Sequence, residues 1–187
     1  MYPRENPQTR RAGAEVDFLA QGGLAAHNGR DPTSSIGDTS RVDAVLHMPG
    51  EGERHGVGAS ETVIKAGSAE TGSTFFLSET TLAPGFPGPP PHRHERLHDM
   101  FYVLEGTLTM RLGDDARELG PGSFVCVPPG VVHTFANRSD QPVRMLNFNT
   151  PGGWENYMRD LGEAAKSGPL TPEIIGGIAS RYDFHAA

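Results

Sequence analysis

The sequence predicts an all-β domain of the sandwich or barrel type, followed by a two-helix C-terminal extension. From about residue 42 to residue 150, short segments rich in β-branched and aromatic residues recur, and Gly, Pro or Asp interrupts them at intervals of roughly ten residues. The chain of 187 residues contains 24 glycines and 16 prolines, which supply many candidate turns. After residue 150 the apolar residues take a helical spacing instead.

The strand pattern is found in a series of short segments. They are DAVLHM, ETVIKA, STFFLSETTL, MFYVLEG, LTMRLG, SFVCVP, HTFAN and VRMLNFN. In the fifth segment apolar and polar residues alternate, and Gly113-Asp114 predicts the turn of a hairpin after it. Cys126 lies among apolar neighbours, and we expect it to be a small buried hydrophobe. The expected core includes Phe101, Val103, Met110, Phe135 and Met145.

The chain divides into three predicted regions. Residues 1–41 are polar and show no sustained periodicity, so we expect a loosely ordered N-terminal arm. Residues 42–150 form the predicted barrel, and residues 151–187 form the helical extension. In the extension, an apolar stripe at positions 154, 157, 158 and 161 predicts a helix that closes one mouth of the barrel. A second helix is predicted after Thr171 as cap and Pro172 as first helical residue.

Charge and composition exclude several classes of partner. The formal net charge of −7 argues against nucleic acid and against an anionic membrane surface. No apolar run approaches the length needed to cross a bilayer. The single cysteine excludes an internal disulfide, so a cytoplasmic protein is expected.

A cluster of histidines lies in PPPHRHERLHDMFYVLEG, residues 89–106. In an extended chain, side chains two residues apart share a face, so His92 and His94 point the same way and could bind one metal ion. A straight strand would put His98 on that face as well, whereas a loop or bulge in ERLH would put Asp99 there instead. Periodicity cannot decide between them, because MFYVL is apolar at every position.

Two spaced motifs in this region resemble those of the cupin superfamily. The first motif consists of His92, His94, Asp99 and Gly106. After 15 intervening residues, the second consists of Gly122, Pro128, Gly130, His133 and Asn137. One position departs from the family pattern, because the family normally has Glu where this chain has Asp99. The resemblance covers about residues 60 to 150 and implies a jelly-roll antiparallel β-barrel.

The resemblance also implies a metal site. His92, His94 and His133 would bind a divalent metal inside the barrel, and Asp99 would replace the acidic ligand of the family. Because Asp is one methylene shorter than Glu, a three-histidine site is the alternative. Counting back from Gly106 favours Asp99 over His98, which is then an outward-facing residue, a hydrogen-bond partner of a ligand or a substitute ligand.

Such a site predicts a metal-dependent enzyme. A His-plus-carboxylate set suits Fe, Mn, Ni, Co or Zn in the divalent state, and open positions would accept a small enolisable or phenolic substrate. Asp99 is the predicted catalytic base, with His98 as the second candidate. Within the family, the chain most resembles the quercetin 2,3-dioxygenase-like group, which implies an oxidoreductase that uses O₂. A redox-neutral cyclase or isomerase, and a non-catalytic binding barrel, are the alternatives. Cupin relatives are often dimers, so a homodimer is expected.

Overall fold

The computed structural model of the protein describes residues 44–187. The predicted N-terminal arm, residues 1–41, lies outside the described residues. The domain boundaries proposed above stay predictions. The strands are β1 (Glu53–Val57), β2 (Ser60–Ala66), β3 (Phe76–Leu82), β4 (His92–Arg93), β5 (His98–Glu105), β6 (Leu108–Leu112), β7 (Asp115–Leu119), β8 (Phe124–Val127), β9 (His133–Ala136), β10 (Val143–Thr150) and β11 (His185–Ala186). The helices are α1 (Ser68–Thr71), α2 (Trp154–Lys166) and α3 (Pro172–Ala179).

The strands form two antiparallel sheets. A six-stranded sheet has the order β1-β2-β3-β10-β5-β8, and a five-stranded sheet has the order β11-β4-β9-β6-β7. The predicted hairpin joins β6 to β7, where Leu112 pairs with Asp115 across the turn at Gly113 and Asp114. The jelly-roll prediction is confirmed, and so are the two helices that follow the barrel.

The interior of the barrel holds one apolar cluster, which we call the barrel cluster. Its buried members are Leu82, Phe101, Val103, Leu108, Met110, Val127, Val143 and Met145. Strand β10 shows how the cluster arises, because its residues alternate strictly between buried and half-buried along all eight positions. Four of the five predicted core residues belong to this cluster, and the fifth, Phe135, is partly buried against it.

Helices α2 and α3 bury their apolar faces in a second cluster, which we call the cap cluster. Its buried members are Ile64, Phe76, Leu97, Trp154, Tyr157, Leu161, Ile178, Ala179 and Phe184. Helix α3 begins as predicted, because the Thr171 hydroxyl accepts a hydrogen bond from the Ile174 amide and Pro172 follows it. Within residues 44–187, no helix combines the length and the apolar character that crossing a bilayer requires.

Two predictions of the sequence were wrong. The described part of DAVLHM, residues 44–48, forms no strand, and Leu46 is 83% exposed. Cys126 is exposed rather than buried. It lies on β8, the edge strand of the six-stranded sheet, with its side chain on the face opposite to the buried Val127. Because SFVCVP is apolar at nearly every position, the sequence could not separate the inner face from the outer one.

Candidate metal centre

Four side chains that can bind a metal meet between the two sheets. His92 lies on β4, His94 just after it, Asp99 near the start of β5 and His133 at the start of β9. One ligand atom from each lies within 4.8 Å of the ligand atoms of the other three. All four residues are at least nine-tenths buried. Residues from separate parts of the chain therefore share one small interior volume.

The connection between β4 and β5 determines whether Asp99 or His98 joins this group. The chain bends at residues 95 and 96, and regular pairing resumes only at His98. As a result Asp99 points inward, while His98 is exposed on the opposite face of β5. The structure does not bring His98 into the cluster.

The three imidazole rings are oriented by backbone carbonyls. A carbonyl oxygen can only accept a hydrogen bond, so each Nδ1 must carry a proton and donate it, and Nε2 is the ring nitrogen that each histidine can offer to a metal. The acceptors are Pro90 for His92 (2.9 Å), Val131 for His133 (3.0 Å) and Asp183 for His94. The Nε2 atoms of His133 and His94 lie 3.2 Å and 3.7 Å from Asp99 Oδ2.

One fully buried nitrogen of the cluster lacks a partner. His94 Nε2 makes no hydrogen bond to any group within residues 44–187. A buried polar atom without a partner carries a desolvation cost, and a cation bound between the imidazoles and Asp99 Oδ2 would remove it. Three imidazole nitrogens and one carboxylate oxygen form a donor set that suits a divalent transition metal. The residues present therefore fit such an ion.

The Asp99 carboxylate is held from both sides. Its Oδ1 accepts hydrogen bonds from the side-chain amides of Asn147 and Asn149, each 2.6 Å long. Its Oδ2 faces His133 and His94. Oδ1 is therefore fixed to the neighbouring strand β10, and Oδ2 faces the cluster. The two amides thus hold the carboxylate in one orientation.

The sequence analysis missed the two asparagines. A signal was present, because in VRMLNFN they fall on the same alternating face as Val143 and Met145, where an inward polar residue needs a partner. Asp183, which accepts from His94, was also missed, and no local pattern marks it.

The surroundings of the cluster favour an ionised Asp99 carboxylate and a neutral His92 ring. Burial alone would raise the pKa of Asp99, but the adjacent imidazoles of His133 and His94 outweigh it and lower that pKa to about 2. Burial and the neighbouring His133 lower the pKa of His92 to about 4. For His94, burial works toward a lower pKa, but the Asp99 carboxylate and the Asp183 residue together outweigh it and raise the pKa. Near neutral pH the cluster therefore contains an anionic carboxylate and a neutral His92.

A cavity of about 460 Å³ opens beside the cluster, with His92 and Asp99 on its wall. Helix α2 contributes the residues of its predicted stripe to the opposite wall, namely Trp154, Tyr157, Met158 and Leu161. The α2–α3 connection and α3 add Leu170 and Ile175. The cavity therefore joins a potential metal position to a mostly apolar chamber that the helices close.

Comparisons with known proteins agree with this geometry. Residues 78–149 match the model of the cupin domain family, Cupin_2, and that range contains all four clustered residues. Over 72 residues the chain is 36% identical to quercetin 2,3-dioxygenase from Bacillus subtilis (strain 168), which is 38% of this chain and 21% of that protein. Over 84 residues it is 34% identical to germin-like protein subfamily 2 member 1 from Arabidopsis thaliana, covering 41% of this chain and 38% of that one. The chain thus spans well under half of these curated relatives.

Two solved structures share the fold over most of their own length. KdgF from Halomonas sp. has a TM-score of 0.54 at 18% identity, with 61% of this chain and 99% of that chain covered. The polyketide cyclase RemF from Streptomyces resistomycificus has a TM-score of 0.51 at 25% identity, with 58% and 80% covered. Together with the family match and the jelly-roll topology, these similarities show that the chain belongs to the cupin superfamily.

Proposed function

We propose that the chain is a metal-dependent enzyme that acts on a small, largely apolar molecule with a phenolic or enolisable oxygen. One observation carries the proposal. Three buried imidazoles have their Nδ1 atoms bound to carbonyls, while the Nε2 atoms of His94 and His133 face the same carboxylate oxygen of Asp99. Surface or packing histidines have no need of such a convergence, whereas metal ligands require it.

When bound, an Fe, Mn, Ni, Co or Zn ion would supply Lewis acidity toward a substrate oxygen, and a redox-active ion would also allow chemistry with O₂. The chain itself supplies orientation and a proton acceptor. Asp99 is the one acidic residue among the described residues that line the cavity, so its carboxylate is the candidate base for a substrate proton when Oδ2 is not bound to the ion. The amides on Oδ1 keep that oxygen directed at the reacting end of the cavity.

The composition of the cavity supports the substrate class. Its volume of about 460 Å³ suits a compact ring system, and aromatic rings from Phe86, Phe135, Trp154 and Phe184 contribute to its wall. Among residues 44–187, no lysine or arginine lines it. A phosphorylated or polyanionic substrate would need such a cation, so we propose an uncharged or singly ionised molecule.

Two reaction types are supported by different similarities. The identity to a quercetin 2,3-dioxygenase over 72 residues supports an O₂-dependent oxidoreductase. The similarity to a polyketide cyclase supports a redox-neutral cyclisation or isomerisation, in which Asp99 moves a proton and no O₂ is consumed. Both reactions need the same oxygen-bearing, apolar substrate, so the cavity does not separate them.

Measurement of oxygen uptake distinguishes the O₂-dependent reaction from the redox-neutral one. Protein purified without a His-tag is analysed for metals, then loaded in turn with Fe, Mn, Ni, Co and Zn and assayed with a panel of flavonols and polyphenolic ketones. We expect at least one metal to bind one ion per chain and to support turnover. Uptake of O₂ with turnover identifies the oxidoreductase, and anaerobic turnover identifies the redox-neutral enzyme. Failure to bind any of the metals would refute the proposal as a whole.

A cavity variant tests the substrate class independently of the metal. Met158 is half-buried on α2 and lines the apolar wall away from the four clustered residues. In Met158→Trp the larger side chain occupies part of the chamber. We expect the KM of the largest accepted substrates to rise while metal content stays at the wild-type value. Unchanged KM values across the panel would contradict substrate binding in this cavity.

We also propose that the chain forms a homodimer. Tyr102 on β5 and Phe124 on β8 pair in register on the outer face of the six-stranded sheet and are 43% and 62% exposed. A second copy covering this face would bury both rings. Sedimentation equilibrium is expected to give twice the chain mass, and Phe124→Glu is expected to give a monomer. A monomeric wild type would refute the dimer.

A further inference from the structure

Residues 183–187, here called the tail segment, contact the histidine cluster from a distant part of the chain. We infer that Asp183 and Phe184 are positioning residues that hold His94 and His92 in the geometry needed to bind a metal. The inference rests on the metal centre proposed above. It assigns the tail segment a role in metal affinity that neither cupin motif contains.

The Asp183 carboxylate organises the turn that presents His94. Its oxygens accept hydrogen bonds from three consecutive backbone amides, Glu95 (2.8 Å), Arg96 (2.9 Å) and Leu97 (3.0 Å). Successive amides around one anion form a concave binding site, and charge makes each of these bonds stronger than a neutral one. The same residue accepts the Nδ1 proton of His94 with its backbone carbonyl. All four bonds therefore converge on residues 94–97, which we call the ligand loop.

Phe184 holds the second histidine by its ring. The two rings are nearly parallel, with an interplanar angle of 11° and centroids 4.2 Å apart. The backbone supports this contact, because β11 pairs with β4 and the Ala187 amide donates to the Pro91 carbonyl at 2.9 Å. The His92 ring is thus fixed between its own Nδ1 bond to Pro90 and the face of Phe184.

The conformation of the ligand loop also determines the direction of the Asp99 side chain. Its bend is what turns Asp99 inward and His98 outward. A change in the loop would therefore displace His94 directly and alter the direction from which Asp99 approaches. Interactions of this kind, one step removed from the metal, commonly change metal affinity by about 10- to 100-fold.

Asp160 provides a matched control. Its carboxylate binds the Tyr182 hydroxyl and, at 3.1 Å, the Arg181 guanidinium, so it anchors the chain just before the tail segment without touching the ligand loop. We compare Asp183→Asn with Asp160→Asn by competing each folded variant for Zn(II) against a chromogenic chelator. We expect Asp183→Asn to raise the apparent dissociation constant about 10- to 100-fold. We expect Asp160→Asn to leave it at the wild-type value while lowering thermal stability.

The absorption spectrum of the Co(II)-loaded variants gives a readout that a purely structural role would not change. Displacement of His94 is expected to alter the ligand-field bands of Asp183→Asn and to leave those of Asp160→Asn unchanged. Equal Zn(II) affinity and equal Co(II) spectra for wild type and Asp183→Asn would overturn the inference. If the wild type itself binds no metal, the proposed metal centre fails instead, so the two failures are distinguishable.

A measurement on the wild type covers the case in which Asp183→Asn does not fold. If the tail segment holds the ligands, bound metal must in return stabilise the tail segment, because coupling between two sites is reciprocal. Amide hydrogen exchange of a peptide containing residues 181–187 is expected to slow on addition of Zn(II). Unchanged exchange in that peptide, with protection elsewhere in the barrel, would overturn the inference.

Discussion

The barrel cluster and the cap cluster bury similar side chains but relate differently to the site. The barrel cluster comes from strands and meets the cavity with the aliphatic side chains of Leu82 and Met145. The cap cluster places rings directly against the ligands, with Trp154 edge-on to His94 at a centroid distance of 5.0 Å and Phe184 stacked on His92. The difference indicates that the barrel cluster determines stability, whereas the cap cluster also determines how the imidazoles are oriented.

The largest effect that would test this separation is expected from Phe101→Ala. Phe101 is 1% exposed in the barrel cluster, and its ring packs against Phe135 at a centroid distance of 5.2 Å. Removing its ring leaves a cavity and should lower the free energy of unfolding by about 3–5 kcal/mol, measured by urea denaturation of the metal-free protein. The folded fraction should keep wild-type Zn(II) affinity. A parallel loss of affinity would show that the two clusters are not independent.

Metal binding should stabilise the fold by the next largest amount. Zn(II) at a free concentration of about 100 times its dissociation constant adds about 2.7 kcal/mol to the free energy of unfolding, because the unfolded chain offers no such site. Thermal melts with and without Zn(II) measure the gain. His133→Ala should lose it.

His98→Ala is the matched control for this measurement, since His98 is exposed and adjacent to Asp99 in sequence. It should keep the full gain in melting temperature. Loss of the gain in His98→Ala would require His98 to be a ligand and would reject the four-residue cluster described here.

A smaller effect is expected from the amides behind Asp99. Asn149→Ala removes one of the two donors to Oδ1, so Asp99 gains freedom and Zn(II) affinity should fall about tenfold, which is about 1.4 kcal/mol. Chelator competition measures it.

Asn137→Ala is the control for a buried asparagine. Its amide donates to the Leu82, Ala83 and Gln141 carbonyls and touches no residue of the cluster. It should cost folding stability without changing Zn(II) affinity. If Asn149→Ala also keeps wild-type Zn(II) affinity, the Asn147 and Asn149 amides contribute to folding stability and not to metal binding.

The smallest effect concerns a charged pair that joins the cap to the barrel. Arg159 on α2 binds Glu53 on β1 with a shortest distance of 2.7 Å, and this pair lowers the pKa of Glu53 from 4.5 to about 2. A lowered carboxyl pKa gives stability that is present above pH 4.5 and lost as the pH falls toward about 2.

Because both side chains are partly exposed, Glu53→Gln should cost only about 0.2–1 kcal/mol at neutral pH. Melting temperatures of wild type and variant should converge as the pH is lowered through that range. A constant difference at all pH values would mean that packing, rather than charge, connects α2 to β1.

Much of the fold could be predicted because its signals are local. The hairpin at Gly113 and the Thr171-Pro172 helix start are each encoded within a few residues. Spaced motifs also gave the residues that the structure brings together at the site. Periodicity could not orient MFYVL or SFVCVP, which are apolar on both faces, so Cys126 was assigned to the wrong side.

The remaining features of the site depend on long-range contacts. The choice of Asp99 over His98 follows from the bend at residues 95 and 96, which Asp183 stabilises from more than eighty residues away. No sequence pattern near Asp183 predicts such a contact. The segment at 44–48 shows the converse, since a strand-like composition forms no strand unless another strand pairs with it.

The outward position of Cys126 gives the protein a natural attachment point for a reporter group. It is the single cysteine of the sequence, and its neighbour Val127 pairs with Asp99 across the β5–β8 ladder. A nitroxide linked to this thiol would therefore lie on the outer face of the sheet, which also carries Phe124 of the proposed dimer contact, a short distance from the cluster and away from the cavity. Broadening of its electron spin signal by a paramagnetic ion would then measure occupancy of the site without altering any residue that forms it.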